Sequence, residues 1–118
     1  MQRFTEIKAW QRTHALVLEI YRISANVPQD ERFGVTSQLR RAIVSVAANI
    51  AEGSRRESRQ EYARFLNIAQ GSAAEAEYLL ILSRDLECLS ATAFERLASE
   101  LNEAARILHG LRLKVEAR

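Results

Sequence analysis

The stretch Ser58–Leu86, SRQEYARFLNIAQGSAAEAEYLLILSRDL, decides the fold. Tyr62, Phe65, Leu66, Ala69, Ala73, Ala76 and Leu80 recur at three- and four-residue steps, the period of one helical face. Ile68, Leu79, Leu82 and Leu86 make a second apolar row. Ser58 stands where a helix is capped, and Glu61 three residues on completes a capping-box pattern. A helix of this length runs roughly 40–45 Å. Gly71, Ser72, Ala73 and Ala74 form a small-residue waist at its middle. A glycine inside a helix costs about 1 kcal/mol against alanine, so the waist predicts close approach of another helix.

Three more helices read outward from this one. Ahead of it, the pattern predicts a helix over about 37–52 with Thr36 as N-cap. Its core stripe is Leu39, Ile43, Val46 and Ile50, and Val44, Ala47 and Ala51 add apolar surface. Gly53 is read as its C-cap residue in the left-handed conformation. The first helix covers about 6–25, with Ile7, Trp10, His14, Val17 and Tyr21 on one face and Leu16, Ile20 and Ile23 on another. Pro28 ends it and opens a short turn closed by Gly34. The last helix follows a Thr92/Glu95 capping-box pattern. It carries Phe94, Leu97, Leu101, Ala104, Leu108, Leu111 and Val115 in 3–4 alternation, a left-handed coiled-coil-like seam.

Four amphipathic helices with short connections predict an all-α, single-domain, up-down-up-down, left-handed four-helix bundle over residues 1–118. The 118 residues suffice for one core, and four glycines and one proline are too few for an all-β fold. The surplus apolar rows on the first three helices predict a homo-oligomer. The longest apolar run is Tyr78–Leu82, too short to cross a membrane. The first ten residues show no signal-peptide pattern and Cys88 is the sole cysteine, so the cytoplasm is the expected compartment.

No catalytic chemistry is spelled out. His14 and His109 sit on different helices without the Glu-x-x-His spacing of bundle metal sites. His14 reads as a core or interface residue with a satisfied nitrogen, and His109 as solvent-facing. Cys88 lies at a helix end whose dipole disfavours a thiolate, and reads as structural. No nucleophile elbow, phosphate loop or dinucleotide fingerprint occurs. The expectation is therefore a protein without catalytic residues, cofactor or metal.

Charge is more informative. The net charge is +2, but residues 1–64 hold 11 basic and 7 acidic residues, and residues 65–118 hold 6 and 8. Arg55, Arg56, Arg59 and Arg64 cluster around the connection between the second and third helices. Arginines at a helix N-terminus oppose the dipole, so helix propensity does not explain them. They read either as a solvated charge run or as a phosphate-contacting patch. On the second helix Gln38, Arg41, Ser45, Asn49 and Glu52 fall within an arc of about 80°. That stripe is either solvated or a buried or interfacial network pairing Arg41 with a carboxylate such as Glu75.

Three segments carry a family resemblance: Thr36-Ser37-Gln38-Leu39-Arg40-Arg41-Ala42; Asn49-Ile50-Ala51-Glu52-Gly53; and Phe65-Leu66 through Ile68-Ala69 and Gly71-Ser72, with Glu75 and Glu77. With Trp10-Gln11 and Phe33-Gly34, they resemble the small bacterial four-helix-bundle family also called the ribosomal RNA intervening-sequence protein family. The resemblance runs over about residues 4–113. Where that family often has proline, near Ala47 or Ala48, this chain has alanine, which implies a straighter second helix. The family is similar to the accessory variability protein of diversity-generating retroelements, a barrel-like homopentamer that binds nucleic acid and contacts a reverse transcriptase. The resemblance thus implies a homopentameric ring without established enzymatic activity, RNA or DNA as partner, and a partner protein such as a reverse transcriptase. It marks Arg40, Arg41, Asn49, Glu52 and Glu75 as signature positions. The rival reading is a structural module that docks another protein, with no nucleic acid.

Overall fold

The computed structural model describes residues 3–27 and 32–117, the side chains of residues 32 and 33 excepted. Four helices pack together: α1 (Lys8–Ser24), α2 (Ser37–Gly53), α3 (Arg59–Asp85) and α4 (Ala91–Glu116). No strand occurs among the described residues. Each helix packs against its neighbours in chain order, and α1 closes against α4. The fold is a rod of 45 × 21 × 20 Å, with α3 and α4, of 27 and 26 residues, its longest elements. The turn expected at Pro28 lies outside the described residues.

The stripes of α2, α3 and α4 meet in one core. Ile43, Ile50, Leu66, Ala69, Ala76 and Leu108 are wholly buried. On α1 the assignment of faces is reversed from the periodicity reading. The buried row is Ala9, Thr13, Leu16, Ile20 and Ser24, while Trp10 and Val17 are half-buried and His14 and Tyr21 exposed. For Ser24 the physical reason is that a small hydroxyl residue can face a core when it satisfies itself locally; Thr13 Oγ1 is buried with no hydrogen-bond partner among the described residues, and nothing local explains it. Ser24 Oγ donates to the Ile20 carbonyl at 2.6 Å, as Ser83 Oγ does to Leu79 at 2.7 Å. His14 is no core residue; its ring stacks on Trp10 at 4.8 Å between centroids. Glu19 is buried and bridges helices: its carboxylate meets Arg22 at 3.2 Å and Arg96 of α4 at 2.7 Å.

Several element ends differ from expectation. Ile7 is extended, so a short 3-10 turn (Phe4–Glu6) precedes α1 instead of continuous helix. Thr36 is helical and does not cap α2; a wide turn (Arg32–Thr36), kinked at Gly34, feeds directly into the helix. Ser58 does cap α3, accepting from the Glu61 amide at 3.0 Å. The reciprocal half of that box is missing, because Arg64 takes the Glu61 carboxylate. Ser90, not Thr92, caps α4, accepting from the Ala93 amide at 3.1 Å.

No glycine among the described residues has positive φ. Gly53 is the last residue of α2, and its role is steric: an added Cβ would lie 2.7 Å from Phe65 Cβ and 3.2 Å from Tyr62 Cδ1. Within the protomer no helix approaches Gly71 closely, since an added Cβ there would meet nothing within 4 Å. The left-handed cap belongs to Glu87 after α3, with φ 62°, and the Cys88 amide donates back to the Ser83 carbonyl at 2.8 Å.

Candidate nucleic-acid interface

The arginine cluster forms where α2 ends and α3 begins, because Gly53 lets the two helix ends touch. Tyr62 and Phe65, half-buried, fill that junction. Arg56 and Arg64 each place a guanidinium 4.9 Å from the Phe65 ring centre. Each also holds an acid: Arg56 pairs with Glu52 at 3.0 Å, and Arg64 grips both oxygens of Glu61 at 3.1 and 3.2 Å. The Arg64 hydrogen bond holds the Glu61 carboxyl below its ordinary value, and the same pair raises the Arg64 guanidinium. Burial pushes the Tyr62 hydroxyl up.

Arg55 and Arg59 differ from these two. Both are exposed, and neither has a carboxylate partner among the described residues. Arg55 lies 5.8 Å from the Phe4 ring centre. Arg55, Arg56, Ser58 and Glu61 line one open depression. Arg59 turns to another side, into a cleft that it shares with Arg64 and Arg112. Exposed ion pairs such as Arg56–Glu52 hold together by about 1 kcal/mol or less, so these arginines can exchange their acid for another anion.

The polar stripe of α2 divides into three. Ser45 Oγ lies 3.0 Å from Ser72 Oγ of α3, and Asn49 Nδ2 donates to the Ser45 carbonyl at 2.8 Å and to its hydroxyl at 3.1 Å. Glu52 serves Arg56. Gln38 and Arg41 line a shallow depression with Glu75 of α3. Arg41 and Glu75 are both exposed and form no ion pair with each other within the protomer, so of the readings for this stripe the buried pair does not hold there. Arg40 has a structural task instead. Its Nε donates to Ser24 Oγ at 2.9 Å, its Nη2 reaches the Tyr21 carbonyl at 3.4 Å, and its guanidinium lies 4.4 Å from the Tyr21 ring centre. It thereby closes the carbonyl end of α1, where a cation is favoured.

Ser72 and Arg112 take part in these arrangements without a sequence signal for it: Ser72 reads as a small residue and a motif position, and Arg112 lies too far along the chain from Arg59 to be grouped with it. His109 is exposed, with Nδ1 3.1 Å from Gln70 Nε2. No three His, Cys, Asp or Glu side chains among the described residues group to hold a metal ion. No helix among them is long and apolar enough to cross a membrane.

Comparison with known proteins agrees with this fold. The profile of the 23S rRNA-intervening sequence protein family matches residues 5–110. The chain belongs to that family. No curated protein matches it. Among solved structures it is similar to a protein with unknown function from the S23 ribosomal protein family of Bacteroides thetaiotaomicron, at 25% identity and a TM-score of 0.80. The match covers 87% of this chain and 96% of that one.

Proposed function

Proceeding from that family membership, we propose that the chain is a non-enzymatic scaffold. In this reading it is an up-down-up-down, left-handed bundle that assembles into a homopentameric ring in the cytoplasm and binds RNA or DNA weakly. The observation that carries the nucleic-acid part is the cluster at the α2–α3 junction, where Arg55 and Arg59 are exposed without a carboxylate partner beside Arg56 and Arg64. A short connection lies at an end of the bundle, so a ring repeats the cluster around one rim and sums its field. Phosphate contacts of this kind carry no base information, so binding is sequence-tolerant and salt-sensitive.

The test is fluorescence anisotropy of an oligonucleotide at several salt concentrations. The slope of log affinity against log salt is about 0.9 per neutralised phosphate on duplex DNA. Arg55→Gln/Arg56→Gln/Arg59→Gln in one chain flattens it by roughly two to three units, with the bundle still folded. Equal slopes for the two proteins rule the patch out.

Assembly is supported by the exposed apolar side chains Leu18, Tyr21, Val44, Ile68 and Tyr78, on α1 to α3. The unpaired Arg41 and Glu75 offer polar contacts of both signs on the same side of the molecule. The number five rests on the resemblance to the accessory variability protein. Light scattering then gives about five times the 13.4 kDa chain mass. A monomer at all concentrations overturns the ring, and a stable dimer overturns the number. The same apolar surface favours the second reading, a structural module that docks another protein with no nucleic acid. That reading gains if wild type binds no oligonucleotide at low salt.

A further inference from the structure

A cleft of about 510 Å³ opens between the first turns of α3 and the last turns of α4. Its size is that of pockets that hold small ligands, which run from about 300 to 1,000 Å³. Ala63 and Val115 line it with apolar surface, and Arg59, Arg64, Asn67 and Arg112 line it with donors. Arg64 is already engaged by Glu61, so Arg59 and Arg112 are the available cations.

Arg112 is unusual. Its side chain is only 24% exposed, and Nη1 donates to Asn67 Oδ1 at 2.9 Å. Its Nε is buried and has no hydrogen-bond partner. The one acid on this side chain among the described residues, Glu116, lies at 4.0 Å from Nη1 and is itself half-exposed. Asn67 therefore holds a guanidinium in a cleft with donors left over, and a covered donor without an acceptor is unfavourable. Arg59 faces the same cleft from the first turn of α3, where the helix dipole adds to its positive charge and favours an anion.

We propose that this cleft is a phosphate site, with Arg112 and Arg59 as the binding cations and Asn67 as the residue that positions Arg112. The planar guanidinium matches the oxygens of a phosphate better than any other side chain. Arg112 lines the cleft and offers it the donors that Asn67 leaves free. The apolar lining suits the non-ionic part of a nucleotide. The phosphodiester of a polynucleotide and the phosphomonoester of a free nucleotide share this chemistry. The polynucleotide case rests on the reading above, and the cleft itself does not.

The full chain, labelled at its arginine side-chain nitrogens, is titrated with inorganic phosphate, a nucleoside 5′-monophosphate and a single-stranded oligonucleotide. Chloride holds the ionic strength constant. The Nε–H signals of Arg59 and Arg112 shift saturably with phosphate, and that of Arg106, paired with Glu103 outside the cleft, does not. Arg112→Gln weakens phosphate binding about tenfold or more, as loss of a charge-assisted contact does. Glu116→Gln, which removes the competing carboxylate, tightens it. Arg59→Gln serves as a second variant should Arg112→Gln fail to fold.

If the monophosphate binds and the oligonucleotide does not, the cleft stands as a nucleotide site and the nucleic-acid reading falls. If the oligonucleotide binds equally to wild type and Arg112→Gln, and phosphate moves neither arginine, the cleft is overturned and that reading stands. A shift of Arg106 equal to that of Arg112 also overturns the proposal, since it reports screening alone.

Discussion

The first turns of α3 meet two neighbours that treat them in opposite ways. On the α2 side the contact is closed: Gly53 lies against Phe65 and Tyr62 with no room for a methyl group. On the α4 side it is open, and arginines with spare donors line the gap. The lesson is that a helix face is sealed by the smallest side chain of its partner and held open by the longest. The closed side fixes the position of Arg56 and Arg64; the open side leaves Arg59 and Arg112 something to bind.

The strongest way to break this contrast is Gly53→Val. A Cβ 2.7 Å from another Cβ cannot be absorbed by a rotamer change, because both atoms are fixed to their helices. Overpacking of this kind costs about 3 kcal/mol at its upper end, and urea denaturation measures it. A loss below about 0.5 kcal/mol would show that the closed side is not tightly packed.

Gly71→Ala, on α3, is the matched control. Nothing lies within 4 Å of the added methyl group, so the helix-propensity gain of about 1 kcal/mol stands alone. The substitution raises the thermal midpoint. If a second copy packs against this exposed turn, the oligomer weakens while the protomer gains, which light scattering reads separately.

On the open side, Arg112→Met changes stability by less than about 1 kcal/mol, because losing the Asn67 bond is offset by losing an unsatisfied buried donor. A loss above about 2 kcal/mol would make Arg112 a clamp between α3 and α4 and the cleft an accident of that clamp.

The smallest effect is the pH dependence of the Glu61–Arg64 pair beside the junction. The folded Glu61 carboxyl titrates below its ordinary value of 4.5. Its contribution is therefore complete above that value and is lost as pH falls through the lowered one. Carbon-detected NMR titration shows the lowered midpoint in wild type and its return toward 4.5 in Arg64→Gln.

Periodicity gave most of the core positions of α2, α3 and α4 because their apolar residues recur at the helical step, although on α3 Leu79, read in the second row, is buried and Tyr62 and Phe65 are only half-buried. It misassigned α1, where Thr13 and Ser24 face inward and Trp10 and Tyr21 lie half-buried or exposed. Size alone predicts the reverse. The left-handed cap at Glu87 carries no glycine or asparagine to announce it. The arginine cluster was legible as a cluster because its members are close in sequence. Which of them are free was not, since Arg56 and Arg64 are paired by acids three or four residues away and Arg55 and Arg59 are not.

By itself the sequence determined four helices, their lengths to within a few residues, and family membership, because those follow from local period and from motif residues spaced along one chain. The tertiary structure alone decided which side of α1 is buried, why Gly53 must be glycine, and that Arg112 stands beside Arg59. Each of these depends on the distance between residues on different helices, and a distance of that kind has no period in the sequence to reveal it.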